Sequence, residues 1–290
     1  MTDKTDQVEL YGQHLVEKHR RFQDILLATQ FDEIVIAAGD SKMQFADDMT
    51  YPFVANPYFR EWVPLGKRHG SYVQISSSLD RPRLFLLCIE DIWHTAPQSL
   101  PAGFEQGLDI VEYASLEELK KHLSSGEQGS AYIDENNSLG VASDCWNPKS
   151  VLDQIDYQRR GKTAYEQDCV RQANRLAVPA HRAAMAAFMA GASELEIAAA
   201  YLRGCDCSEN EMPYGIIAGV NEHAAVLHHH NLDKQRVTPR SFLIDAGVAM
   251  NGYASDITRT YAYDSGSDFA ALIDVMDLSQ QELVAGGGIG

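Results

Sequence analysis

A twenty-residue run, "FLIDAGVAMNGYASDITRTY" (242–261), constrains this chain more tightly than any other stretch. It reads as two short strands meeting near Asn251-Gly252, the dipeptide that type I′ hairpin turns favour. Each strand carries a carboxylate, Asp245 and Asp256, although Asp is depleted in strands and costly to bury unpaired. With Met250-Asn251 as the loop the two aspartates face each other, and with Asn251-Gly252 as the turn they lie on a diagonal. Either register puts both on one face of the ribbon, near enough to share a site. An odd-length loop or an uncompensated bulge sends them to opposite faces. Two such carboxylates repel and need a shared proton or a cation between them, and carboxylate oxygens suit Mn²⁺, Mg²⁺ or Ca²⁺. Blander alternatives stay open on these residues alone: Asp256 paired with Arg259 or capping a turn, and Asp245 as a half-exposed strand residue.

Upstream, "VELYGQHLVEKHRRFQDILLAT" (8–29) has apolar positions at helical spacing and reads as an amphipathic helix. Strands are expected at "DEIVIAAG" (32–39), "SYVQIS" (71–76), "RLFLLCIED" (83–91) and "SAYIDE" (130–135). A Pro- and aromatic-rich loop is expected over 40–66. "SLEELKKHL" (115–123) reads as a helix opened by a capping box of Ser115 and Glu118. This alternation predicts a three-layer α/β first domain with a mixed or parallel sheet. After about Leu152 the composition turns helical, with a long Ala-rich helix that Pro179 is expected to kink and a second helix capped by Ser193 and Glu196. Strands at "YGIIAGV" (214–220) and "AAVLHHH" (224–230) precede the opening hairpin, and a helix covers 269–285. A strand at 224–230 puts His228 and His230 on one face and His229 on the other. The domains are placed at 1–158 and 159–290.

The 290 residues carry a formal charge of −17 at pH 7. That excludes a basic stripe for a nucleic-acid backbone and argues against an anionic membrane surface. The most apolar helical stretch, "LAVPAHRAAMAAFMAGA", is broken by His181 and Arg182 and is too short to span a bilayer. Five cysteines without CxxC spacing fit a reducing, cytoplasmic setting.

The segments "SENEMPYGIIAGV", "NEHAAVLHHHNLD" and "RSFLIDAGVAMNGYASDITRTY" together resemble the metal-binding half of bacterial prolidases, the Xaa-Pro dipeptidases, within the pita-bread metallopeptidases. "KMQFADDMTYPFVANPYFREWVP" (42–64) is similar to a segment of the same subgroup, on the organophosphorus acid anhydrolase branch. The resemblance implies an α/β N-terminal domain followed by an α+β pita-bread (creatinase/aminopeptidase-like) domain, the latter incomplete. It implies two divalent metal ions, most commonly Mn²⁺, with Asp245 binding one ion through both oxygens and Asp256 bridging the two. His228 is implied to line the substrate site as a catalytic residue that does not touch metal. Tyr214 matches a substrate-pocket residue, and the loop around Asp48 reaches toward the partner's active site in related homodimers. The implied reaction is hydrolysis of a dipeptide ending in proline, with phosphotriesters as further substrates.

The departures are equally specific. The family completes its metal site with one His and two Glu from later segments, yet this chain has no His beyond His230, and beyond Asp256 its only Glu is Glu282. "HHHN" stands where "HYT" is usual. The ending "GGGIG" reads as a premature, truncated terminus, with weak or absent activity as the expectation. The rival reading is a non-catalytic remnant that only binds or dimerises.

Overall fold

The computed structural model describes residues 4–89, 97–123 and 129–287. Contacts divide the chain into two compact units, Met1–Cys169 and Val170–Gly290. In the first, α1 (Lys4–Ala28) follows from the apolar spacing: Tyr11, Leu15, Phe22, Ile25 and Leu26 are buried, while Val16 and Leu27 stay in solvent. Strands β1 (Glu33–Ala37), β2 (Tyr72–Ser76), β3 (Arg83–Leu87), β4 (Asp109–Tyr113) and β5 (Ser130–Ile133) form one sheet, ordered β4-β3-β2-β1-β5. The sheet is mixed: β1–β2 and β2–β3 are antiparallel, β1–β5 and β3–β4 parallel. Every position of β1, β2 and β5 is buried, as expected of strands covered on both faces.

Two features go beyond what the sequence suggests. β4, "DIVEY", escapes a reading by strand propensity because two of its five residues are acidic; its Asp109 is held by Arg83 on the neighbouring strand at 2.7 Å. The loop at 40–66 contains a helical turn, α2 (Pro57–Arg60), capped by the Asn56 side chain. It then buries Trp62, Val63 and Leu65 completely. The far end of the expected strand 83–91 lies outside the described residues.

Ser115 does cap α3 (Leu116–His122), but the Glu118 carboxylate accepts the Ala114 N–H rather than that of Ser115, so the box is displaced by one residue. α4 (Lys149–Arg159) follows. His14 ties α1 to the chain around it, with Nε2 on the Glu61 carbonyl at 2.7 Å and Nδ1 on the Thr163 hydroxyl at 2.8 Å.

The second unit is built from α5 (Ala164–Met189) from Val170 onward, α6 (Glu194–Cys205), β6 (Ile217–Val220), β7 (Ser241–Ala246), β8 (Ala249–Met250), β9 (Tyr253–Ala254), β10 (Ile257–Ala262) and α7 (Asp268–Gly286). The Ser193–Glu196 capping box of α6 forms as expected. β10, β7 and β6 make a three-stranded antiparallel sheet. Its core joins Ala180, Ala184 and Phe188 of α5 and Ile197 and Tyr201 of α6 to Phe242, Ile244 and Ala246 of β7. The two helices touch closely at Gly204, where an added Cβ would lie 2.6 Å from the Ala180 Cα. Because β7 alternates, its buried set Phe242, Ile244, Ala246 turns Leu243 and Asp245 to the opposite, half-exposed face. That alternation is how a strand in the core carries a carboxylate without burying it.

The expected strand at 224–230 does not form. Asn221 adopts a left-handed conformation (φ 57°) and opens a 3₁₀ turn over Asn221–Ala225, and the chain then runs irregularly to β7. The cause is polar and long-range. The Glu194 carboxylate accepts the N–H groups of Val220 and Asp233 and pairs with His223 and His229, which draws the segment out of strand alternation.

Candidate metal centre

The ribbon register follows the Asn251-Gly252 turn. Asn251 and Gly252 have φ of 51° and 89°, the two positive values a type I′ turn requires. Met250 pairs with Tyr253 and Ala249 with Ala254, and further along Thr258 pairs with Asp245. Asp256 therefore lies diagonal to Asp245, two residues ahead of its direct partner. The face-to-face register is excluded.

Tyr214, just before β6, shows that the two carboxylates converge. Its hydroxyl lies 2.9 Å from Asp245 Oδ1 and 3.1 Å from Asp256 Oδ1. Burial, then the hydrogen bonds to the two aspartates, push this hydroxyl well above the usual phenol range, so it remains a donor. It has one proton for two acceptors, and one carboxylate oxygen always faces it without a hydrogen between.

Three further residues hold this geometry. Gly247 sits between the carboxylates along the ribbon, where a Cβ would fall 1.9 Å from the Ser255 carbonyl oxygen and 3.1 Å from Tyr214 Cε1. Buried Ser255 exchanges bonds with Val248: its hydroxyl accepts the Val248 N–H at 2.9 Å, and its own N–H reaches the Val248 carbonyl at 3.0 Å. His181 on α5 donates Nε2–H to the Ala246 carbonyl at 3.0 Å, fixing the backbone next to Asp245. Burial, with Arg259 adding to it, holds the His181 imidazole below its ordinary value and so neutral. A lone His inside an Ala-rich apolar helix was the available signal for this role; nothing local in the sequence marks Ser255.

The other expected residues are placed differently. His228 is exposed, and its ring stacks on that of His230 with centroids 6.1 Å apart. It is His230 that packs beside Gly215, the neighbour of Tyr214. Asp48 is exposed in a turn of the first unit.

The donor set at Asp245 and Asp256 suits a divalent cation: hard carboxylate oxygens on one face, under-supplied with protons. Among the described residues no third histidine or carboxylate joins them at ligand distance. Nor is any helix among the described residues long and apolar enough to cross a membrane.

Residues 168–286 match metallopeptidase family M24, and the aspartate face lies wholly within that match. Residues 9–157 match the family described as Xaa-Pro dipeptidase, N-terminal domain. The chain belongs to the Xaa-Pro dipeptidase family of metallopeptidases. It is 43% identical over 272 residues to an Xaa-Pro dipeptidase of Xanthomonas campestris pv. campestris, covering 93% of this chain and 62% of that protein. It is 38% identical over 281 residues to one of Edwardsiella ictaluri, covering 95% and 63%. The chain thus spans somewhat under two thirds of these relatives' length. Among solved structures, aminopeptidase P from E. coli with the inhibitor Pro-Leu superimposes with a TM-score of 0.61 at 19% identity, over 87% of this chain and 63% of that one. The fold is that of an N-terminal domain followed by a pita-bread metallopeptidase domain.

Proposed function

We propose that this chain supplies the aspartate half of a dinuclear centre that hydrolyses Xaa-Pro dipeptides. The observation that supports this most directly is the convergence of Asp245 and Asp256 on the single Tyr214 hydroxyl. The reading assigns 1–158 to the N-terminal domain and 159–290 to the catalytic one. Asp245 and Asp256 are the oxygen ligands, with Mn²⁺ the expected ion. When bound, such an ion pair supplies Lewis acidity and an ionised water at neutral pH. Tyr214 keeps its proton and donates a hydrogen bond into the site. His181 and Ser255 fix the backbone on either side, which sets the carboxylate separation. His228 takes the substrate side, leaving its stack on His230 to reach a developing oxyanion. Phosphotriesters are electrophiles for the same nucleophile. A homodimer in a reducing compartment, with Asp48 facing the partner, completes the reading; all five cysteines are free thiols.

Two carboxylates make a weak site, so the chain by itself is expected to bind Mn²⁺ weakly and to turn over little substrate. Calorimetric titration with Mn²⁺, alongside Gly-Pro hydrolysis, tests this. Weak binding that disappears in the Asp245→Asn/Asp256→Asn variant supports the assignment. Binding unchanged by that variant refutes it, and no binding by either chain favours a role in binding or dimerisation alone.

A further inference from the structure

The second unit holds another cluster of ligating side chains, separate in its residues from the aspartate pair. Glu194, the first residue of α6, is buried, and four donors surround its carboxylate. Oε1 accepts the Val220 N–H at 2.9 Å and meets His223 Nδ1 at 2.9 Å. Oε2 accepts the Asp233 N–H at 2.9 Å and meets His229 Nε2 at 2.7 Å. The two imidazoles lie 4.3 Å apart between centroids, and Asp233 Oδ2 is 3.9 Å from His223 Nδ1. One ligand atom from each of Glu194, His223 and His229 falls within 4.8 Å of the others. A cavity of about 500 Å³, lined in part by Glu194, His223 and Asp233, gives access from solvent.

These separations are those of a hydrogen-bonded cluster, and shifts of about 0.5–0.7 Å would open the two Glu194–imidazole contacts to the edges of a coordination shell. Zinc with nitrogen and oxygen ligands near 2.1 Å puts neighbouring donors of a tetrahedron about 3.4 Å apart. The observed 2.7 to 3.9 Å brackets that value. The donors are two imidazole nitrogens and one or two carboxylates, a set that favours zinc-class cations over Mg²⁺ or Ca²⁺. Each imidazole now uses, toward Glu194, the nitrogen that a metal would take. Ligation therefore replaces two N–H protons with one cation and leaves the backbone N–H groups of Val220 and Asp233 in place. Those two bonds would orient the carboxylate from behind, as outer partners of metal ligands do.

We propose that Glu194, His223 and His229, with Asp233 as fourth donor, form a second, structural site for a zinc-class divalent cation. It cross-links the start of α6, the 3₁₀ turn Asn221–Ala225 and the irregular segment 226–233. The sequence distances are long, 29 residues from Glu194 to His223 and 35 to His229, so the clamp joins parts of the unit that no local structure connects.

The test uses the whole chain carrying Asp245→Asn/Asp256→Asn, which leaves only the proposed site, with Co²⁺ and Zn²⁺ as probes. The expected result is one equivalent of Co²⁺ with a tetrahedral visible band, displaced by Zn²⁺, and a raised unfolding midpoint in Zn²⁺. His223→Gln and His229→Gln are each expected to lower affinity about tenfold or more. Failure of the chain to take up Co²⁺, or affinity unaltered in both histidine variants, overturns the proposal. If those variants do not fold, proton NMR of the Co²⁺-loaded chain decides. Two far-shifted, exchangeable imidazole N–H resonances support the site, and their absence overturns it.

Discussion

Gly247→Ala is the sharpest perturbation of the aspartate ribbon. Gly247 does not adopt a positive φ, so alanine meets no backbone strain there. The obstacle is space: the new methyl would lie 1.9 Å from the Ser255 carbonyl oxygen and 2.9 Å from its carbonyl carbon. An ordinary carbon–oxygen contact needs more than 3 Å, so the two segments must separate by about 1 Å or more. Both partners are backbone and cannot rotate away. Separation stretches the pair of Val248–Ser255 hydrogen bonds, 2.9 and 3.0 Å long, at about 1 kcal/mol each. Overpacking adds roughly 1–3 kcal/mol. The expected loss is therefore about 3–5 kcal/mol, read by denaturant unfolding of the whole chain. The same displacement moves Asp256 relative to Asp245 by about 1 Å, which is worth on the order of a hundredfold where reacting groups must be aligned. Mn²⁺ affinity is expected to fall with it. Gly12→Ala is the control: the site lies inside α1 with nothing within 4 Å of the new Cβ, and it is expected to stabilise by about 0.5–1 kcal/mol. A Gly247→Ala chain with unchanged midpoint and unchanged Mn²⁺ binding would refute the close-approach argument.

Other outcomes follow from single contacts. Burial lowers the His14 pKa to about 4, so the folded chain binds fewer protons there than the unfolded one. Its contribution is complete above about pH 6.5 and is lost as pH falls toward 4, by at most about 3 kcal/mol; urea midpoints measured from pH 7.5 to 4 should show this slope, reduced in His14→Gln. Glu194→Gln keeps an oxygen for one of the Val220 and Asp233 N–H groups but turns its amide NH₂ toward the other, a donor-to-donor contact expected to cost about 2–3 kcal/mol in chemical denaturation without metal. Ser255→Ala removes the acceptor of the buried Val248 N–H and is expected to cost about 1–3 kcal/mol by the same measurement. On α7, Leu272, Val275, Met276, Leu283 and Val284 are all more than half exposed. Leu283→Glu/Val284→Glu is expected to reduce concentration-dependent association in sedimentation velocity.

Much of the site could be read along the chain. Asn251-Gly252 dictates its own turn because few other dipeptides tolerate two consecutive positive φ values, and the turn fixes the register. Register and the strand period of two then bring both aspartates to one face, all within twenty residues. Helices α1, α3, α6 and α7 were legible for the same reason: their signals, apolar spacing for α1 and α7 and a capping Ser for α3 and α6, are local. The histidine run departs from its local pattern because it obeys a distant partner. Alternation in "AAVLHHH" favours a strand, but a buried carboxylate at Glu194 must be supplied with donors, and these come from His229 within it and from His223 and the Val220 and Asp233 N–H groups on either side. The demand comes from a residue some thirty positions away, and it outweighs a weak local preference. The partner of His181 depends likewise on packing, since its bond crosses from α5 to the Ala246 carbonyl of β7, 65 residues away. Local chemistry determined where the carboxylates lie on the ribbon. Which side chains hold them there was decided only once helices and sheet packed together, because buried polar atoms take whichever partners folding brings within reach.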